Sequence, residues 1–179
     1  MVYIILGNGF EEAEAIIPCD LMRRAGIEVK FAGIGGINIS GGHGITVQSD
    51  CVAEQTDFSD AEMIVLPGGL GGVASVRGCQ PVLDAVSAQY AAGRFVAAIC
   101  AAPTIFAQLG LTDGRKATCY PGCEKDMGKA DTCAEPAVCD GNVITGKAAG
   151  TAFDFGLMLI EKLRDKQTAE RIAAGVVYR

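Results

Sequence analysis

Short apolar, β-prone runs alternate along this chain with segments of helical period, and that order constrains the fold more than any other feature. Val2–Leu6 reads as a strand, and Glu11–Ala25 follows as an amphipathic helix stopped by Gly26. Strands are expected again at Glu28–Ala32, Ile45–Val52, Met63–Leu66, Phe95–Ile99, Ala117–Cys119 and Val143–Thr145. Helices are expected at Gln80–Ala92, Ala101–Leu109, Ala148–Leu163 and Thr168–Ala174, and the glycine-rich Gly33–Gly44 reads as turns and short strands. Repeated β-then-α order predicts an α/β fold with a mostly parallel sheet and helices on both faces. No linker, repeat or low-complexity tract divides the 179 residues, so one domain spanning 1–179 is expected.

In such a sheet, ligands bind beyond the carboxyl ends of the strands. Three expected loops fall there: Gly7–Glu14, Pro67–Gly72 and Cys100–Pro103. The last carries the most chemistry. Cys100 is wedged between a wholly apolar strand and a helix with Pro103 in its first turn, an arrangement like a nucleophile elbow. Free N–H groups and the positive end of a helix dipole favour a thiolate. Against this stands the plain alternative of a small apolar residue buried at a strand end. Gly68 and Gly69 let backbone N–H groups approach a ligand, and with the N–H of Ala101 they would form an oxyanion pocket; alone, the pair is also just a turn leaving a strand. Glu11, Glu12 and Glu14 suit a helix N-terminus, but Glu14 lies among Ala13, Ala15, Ile16 and Ile17. A carboxyl in that setting has a raised pKa, and could share a proton with a thiol or act as a base near neutral pH.

Composition narrows the function class. The net charge of −6 is spread along the chain and argues against a nucleic-acid surface. No apolar run approaches the roughly 20 residues that span a bilayer, and the acidic opening is unlike a signal peptide, so a cytoplasmic protein with reduced thiols is expected. Of the eight cysteines, Cys119, Cys123, Cys133 and Cys139 would be the only set for a metal. The short paired spacings of zinc sites are absent and the chain has one histidine, so neither metal nor cofactor is expected.

The segments GNGFEEAEAIIPCDLMRRAGIEV, IVLPGGL, VAAICAAPTIFAQLGL and GTAFDFGLMLIEKL, in this order, resemble the ThiJ/PfpI superfamily on its DJ-one branch. The resemblance implies a flavodoxin-like three-layer sandwich, a homodimer, Cys100 as nucleophile and redox-sensitive residue, Glu14 as its carboxylate, and an anion pocket at Gly69 and Ala101. It places Arg24 near a dimer interface and His43 near the pocket, although a lone loop histidine is more often solvated. Where relatives carry a histidine before a proline, this chain has Tyr120, a poor base, and Ala101 stands where the protease-like branch has a histidine. A Cys-His dyad from those positions is therefore absent, and protease activity is not implied. Two activities are: glutathione-independent conversion of small 2-oxoaldehydes such as methylglyoxal to hydroxy acids, with a related deglycase activity; or oxidative-stress sensing and chaperone-like action through the same cysteine.

Overall fold

The computed structural model describes residues 1–179. Its strands are β1 (Val2–Leu6), β2 (Val29–Gly33), β3 (Asn38–Ser40), β4 (Thr46–Gln48), β5 (Cys51–Val52), β6 (Met63–Leu66), β7 (Phe95–Ile99), β8 (Lys116–Ala117), β9 (Asp131–Thr132), β10 (Ala137–Asp140) and β11 (Val143–Gly146). The helices are α1 (Glu12–Arg24), α2 (Leu70–Arg77), α3 (Gln80–Ala91), α4 (Pro103–Gln108), α5 (Ala152–Leu163) and α6 (Lys166–Gly175). Seven strands form one sheet in the order β10-β11-β7-β6-β1-β2-β5, parallel except at β10.

Alternation along the central strands builds two cores. Val2, Ile4 and Leu6 of β1 face one side and pack with Leu21, Phe155, Leu159 and Ile172 from α1, α5 and α6. Tyr3 and Ile5 face the other side, with Val73, Val82, Val86 and Ile105 from α2, α3 and α4. Strands buried on both faces carry no polar alternation, which is why β1, β6 and β7 read as continuous apolar runs. The result is the expected three-layer sandwich. Within the parallel part, β2-β1-β6-β7-β11 follows the flavodoxin-like order, which places the switch point between β1 and β6.

Several boundaries differ from expectation. The strand expected over Ile45–Val52 is two, because Asp50 leaves the ladder: its carboxylate accepts the Phe31 N–H at 2.7 Å and its own N–H donates to Phe31 O at 2.9 Å. Ala117–Cys119 does not join the main sheet; Lys116–Ala117 pairs with β9 in a separate two-stranded sheet. The helix expected from Ala101 begins at Pro103, and the one expected from Ala148 opens as a 3-10 turn at Ala149–Thr151. Helix α2 and the antiparallel edge strand β10 are additions. No helix is long and apolar enough to cross a membrane.

Candidate active site

The switch-point crevice brings three chain segments together: the start of α1, the turn after β6 and the turn after β7. Cys100 follows β7 with φ 67°, the left-handed region that non-glycine residues rarely enter. Holding it there costs about 1–3 kcal/mol and turns the side chain out of the strand direction. Two hydrogen bonds fix the elbow: Cys100 N–H donates to Gly146 O at 3.0 Å, and Tyr120 N–H donates to Cys100 O at 2.7 Å.

Glu14 sits in the first turn of α1 and is 1% exposed. Its Oε2 accepts the Gly68 N–H at 2.9 Å, and Oε1 is buried without a hydrogen-bond partner. Gly68 spans the gap between carboxyl and thiol so closely that a Cβ there would lie 2.5 Å from Glu14 Oε2 and 2.6 Å from Cys100 Cβ. Only glycine fits. Gly69 has φ +84°, and a Cβ on it would collide with Gly9 O and lie 2.6 Å from Glu11 N.

The carboxyl and the thiol set each other's titration. Burial raises Glu14 to about 7, against the lowering effect of the thiol and of the Gly68 and Ala149 N–H groups. Burial raises Cys100 to about 12; the charge of Glu14 pushes the same way, and the N–H groups of Ala101 and Gly69 pull against both. The depressed thiol expected from a helix N-terminus is therefore not found. Helix α4 has only six residues and starts three positions beyond the cysteine, while the nearest full charge is negative. What exists is a buried pair that resists carrying two negative charges and is poised to hold one proton between its members.

The residues named from sequence divide into two groups. Cys100, Glu14, Gly68, Gly69 and Ala101 converge. Gly68 is no oxyanion donor, however, because its N–H is already given to Glu14. The N–H groups of Gly69 and Ala101 make no backbone hydrogen bond and act on the sulfur. The others stay outside. Arg24 lies at the far end of α1, paired with Asp20 at 2.8 Å, and about 15 Å of helix separates it from Glu14. Tyr120 supports the elbow through its backbone, while the residue is 49% exposed. His43 is 70% exposed at its side chain, and Nδ1 meets Glu12 Oε2 at 2.9 Å and Glu11 Oε2 at 3.5 Å.

Glu12 was not singled out by sequence, and it is buried and well held. Its Oε1 accepts the N–H of His43 at 2.8 Å and that of Ile45 at 3.4 Å. Burial would raise its pKa, but His43 and these N–H groups outweigh it and bring the carboxyl down to about 2. Glu11, Glu12 and His43 are also the one cluster whose potential ligand atoms lie within 4.8 Å of one another. Cys119, Cys123, Cys133 and Cys139 form no such cluster, and all eight cysteines are free thiols.

A cysteine elbow at positive φ on a doubly wound parallel sheet, facing a buried carboxyl, defines a class of α/β proteins. The chain belongs to the DJ-1/PfpI family, whose pattern matches residues 1–162. It is 36% identical to the protein dj-1beta of Drosophila melanogaster over 177 residues, covering 97% of this chain and 95% of that one. The solved structure of that fly protein superposes with a TM-score of 0.95, at 34% identity over 99% of this chain and 97% of the other. A DJ-1 superfamily protein from Salmonella typhimurium superposes with a TM-score of 0.94, at 31% identity, 99% coverage of this chain and 98% of that one. A protein of Pyrococcus abyssi named as a deglycase is 32% identical over 165 residues, 91% of this chain and 99% of its own length.

Proposed function

We propose that the protein converts small 2-oxoaldehydes to 2-hydroxy acids, methylglyoxal to lactate being the model reaction, with Cys100 as nucleophile and Glu14 as the proton-transfer group. The observation that carries this reading is the buried Glu14–Cys100 pair flanked by the free N–H groups of Gly69 and Ala101. Glu14, with its pKa near neutrality, takes the thiol proton as sulfur adds to the aldehyde carbon. The carbonyl oxygen gains the negative charge, and the two N–H groups stabilise it. Glu14 then moves a proton from the aldehyde carbon to the neighbouring carbon through an enediolate, leaving a thioester. Water hydrolyses the thioester, releasing the hydroxy acid and the thiol. One water is consumed, and neither metal nor cofactor takes part. The deglycase name of the Pyrococcus abyssi relative supports carbonyl chemistry of this kind, and a related activity on early glycation adducts belongs to the same proposal.

The test is lactate production from methylglyoxal without glutathione. Wild type should turn over, and Cys100→Ser should lose activity while keeping its circular dichroism. A second reading draws on the same N–H pair: it suits the oxygens of a cysteine sulfinate, so Cys100 would serve as an oxidative-stress sensor or the switch of a redox-regulated chaperone. Stoichiometric sulfinate at Cys100 with no lactate from the reduced protein would favour that reading.

The proposed setting is the cytoplasm, where eight free thiols are stable. The proposed assembly is a homodimer with α1 near its interface. Ile16 on α1 is 40% exposed and Ile45, beside the start of α1, is 54% exposed, giving apolar surface to cover. Arg24 at the end of α1 would then lie toward the partner. Sedimentation at micromolar concentration should give a dimer; a monomer would contradict this.

A further inference from the structure

The two N–H groups that act on the Cys100 sulfur come from different parts of the chain. Gly69 precedes α2 and is locked to it, its carbonyl accepting the Val73 N–H at 2.9 Å. Ala101 belongs to the turn between β7 and α4. How well the pair grips one atom depends on what holds these two segments together. Val73 and Val76 of α2 share a core cluster with Ala101, Ala102 and Ile105, but apolar packing is non-directional and does not aim an amide.

A side-chain link supplies the direction. Arg77, the last residue of α2, donates from Nη2 to Thr104 Oγ1 at 2.7 Å, and Thr104 Oγ1 donates to Ala101 O at 2.6 Å. A guanidinium only donates, so the hydroxyl accepts from it and turns its own proton to the carbonyl. Thr104 is buried, which keeps water from competing for that proton. The Thr104 N–H reaches the same carbonyl at 3.2 Å, and the Ala102 N–H, at the other end of that peptide plane, donates to Ile99 O at 3.1 Å. The preceding plane, which carries the Ala101 N–H, is held by the Tyr120 N–H at Cys100 O. Ala101 is thus pinned from both sides, with its N–H left to point at sulfur. Cys100 at φ 67° needs such restraint, because that backbone region persists only where the surroundings over-determine it.

We propose that Thr104 and Arg77 are positioning residues of the Cys100 site: their hydrogen-bonded chain ties α2 to the elbow and sets the spacing and aim of the Gly69 and Ala101 N–H groups. The effect on turnover rests on the oxoaldehyde chemistry proposed above; the effect on the thiol does not.

The experiment compares full-length Thr104→Val, which keeps the shape and loses the hydroxyl, with Thr104→Ser, which keeps the hydroxyl, and Arg77→Met, which removes the donor. Iodoacetamide alkylation of Cys100 near neutral pH is read on the tryptic peptide Phe95–Arg115, which holds no other cysteine. Weaker N–H support leaves less thiolate, so Thr104→Val should react about 3- to 10-fold more slowly, the worth of one hydrogen bond. Thr104→Ser should react as wild type, and Arg77→Met should be slowed less than Thr104→Val. The double variant Arg77→Met/Thr104→Val should be no slower than Thr104→Val, because Arg77 acts through the hydroxyl. Methylglyoxal kcat should fall in the same order with KM little changed. A wild-type alkylation rate in Thr104→Val, or losses that add in the double variant, would overturn the proposal. If Thr104→Val does not fold, Arg77→Met decides, and a wild-type rate there would overturn it as well. A wild type without methylglyoxal turnover would sink the oxoaldehyde reading and leave the alkylation rates to decide this one.

Discussion

Glu12 and Glu14 lie two residues apart on the same helix, both nearly sealed from solvent, yet their carboxyls behave in opposite ways. Two positions on a helix are about 200° apart, so the side chains enter different surroundings. Glu12 turns toward the β3–β4 loop, where two N–H groups and the His43 ring supply the hydrogen bonds that water would have given, and it stays ionised down to about 2. Glu14 turns toward the Cys100 crevice and keeps one oxygen unpartnered, so burial wins and its pKa rises to about 7. Burial alone does not make a carboxyl reactive; burial with unspent hydrogen-bonding capacity does. One acid clamps a loop, and its neighbour is the group proposed to move a proton.

The largest effect that separates them is on turnover. Glu14→Gln should keep the fold and the crevice while removing the base, lowering methylglyoxal turnover by about 10²–10⁴. Glu12→Gln should leave it within about tenfold. Equal losses in steady-state assays of the two variants would erase the distinction drawn here.

Stability should rank them the other way. Glu12→Gln weakens a charge-assisted set of hydrogen bonds and should cost about 1–2 kcal/mol in urea unfolding. Glu14→Gln replaces a carboxyl that its site resists ionising and should cost less than about 0.5 kcal/mol at pH 8, or stabilise. A Glu14→Gln protein that unfolds more readily than Glu12→Gln would mark Glu14 as the structural residue.

The pH dependence has opposite signs as well. A raised folded pKa at Glu14 means the native state holds the extra proton, so stability falls as pH rises from about 4.5 to about 7. A lowered folded pKa at Glu12 means its contribution is present above about 4.5 and is lost as pH falls toward about 2. Melting temperature against pH should lose the first slope in Glu14→Gln and the second in Glu12→Gln. Wild-type slopes in both variants would contradict the assignment.

The same contrast shows what sequence can and cannot reveal. Glu14 was legible because alanine and isoleucine surround it in sequence, and burial follows from that pattern. The clamp on Glu12 was not, because its partners arrive from a loop some thirty residues away, and nothing local marks their return. The central strands were legible as apolar runs. Helix α2 was not, since Gly71 and Gly72 disfavour helix by about 1 kcal/mol each. Their reason is tertiary: a Cβ on Gly71 would lie 2.7 Å from Asn8 O, and one on Gly72 would lie 2.8 Å from Phe10 Cα. The glycines let α2 press against the loop that follows β1, and so place Gly69 at the crevice. The elbow itself was legible, but the acidity of its thiol was not, because that depends on which charge stands nearest after folding.

The proposed proton transfer between Glu14 and Cys100 is tested most directly by the ultraviolet absorbance of the Cys100 thiolate, followed against pH. Wild type and Glu14→Gln would each be compared with a Cys100→Ser blank to remove the other thiols. Burial raises the thiol pKa, and the charge of Glu14 raises it further. Glu14→Gln should therefore form thiolate at lower pH than wild type, even as it loses turnover. A thiol that titrates at the same pH in both proteins, or at higher pH in the variant, would show that the two groups do not share a proton.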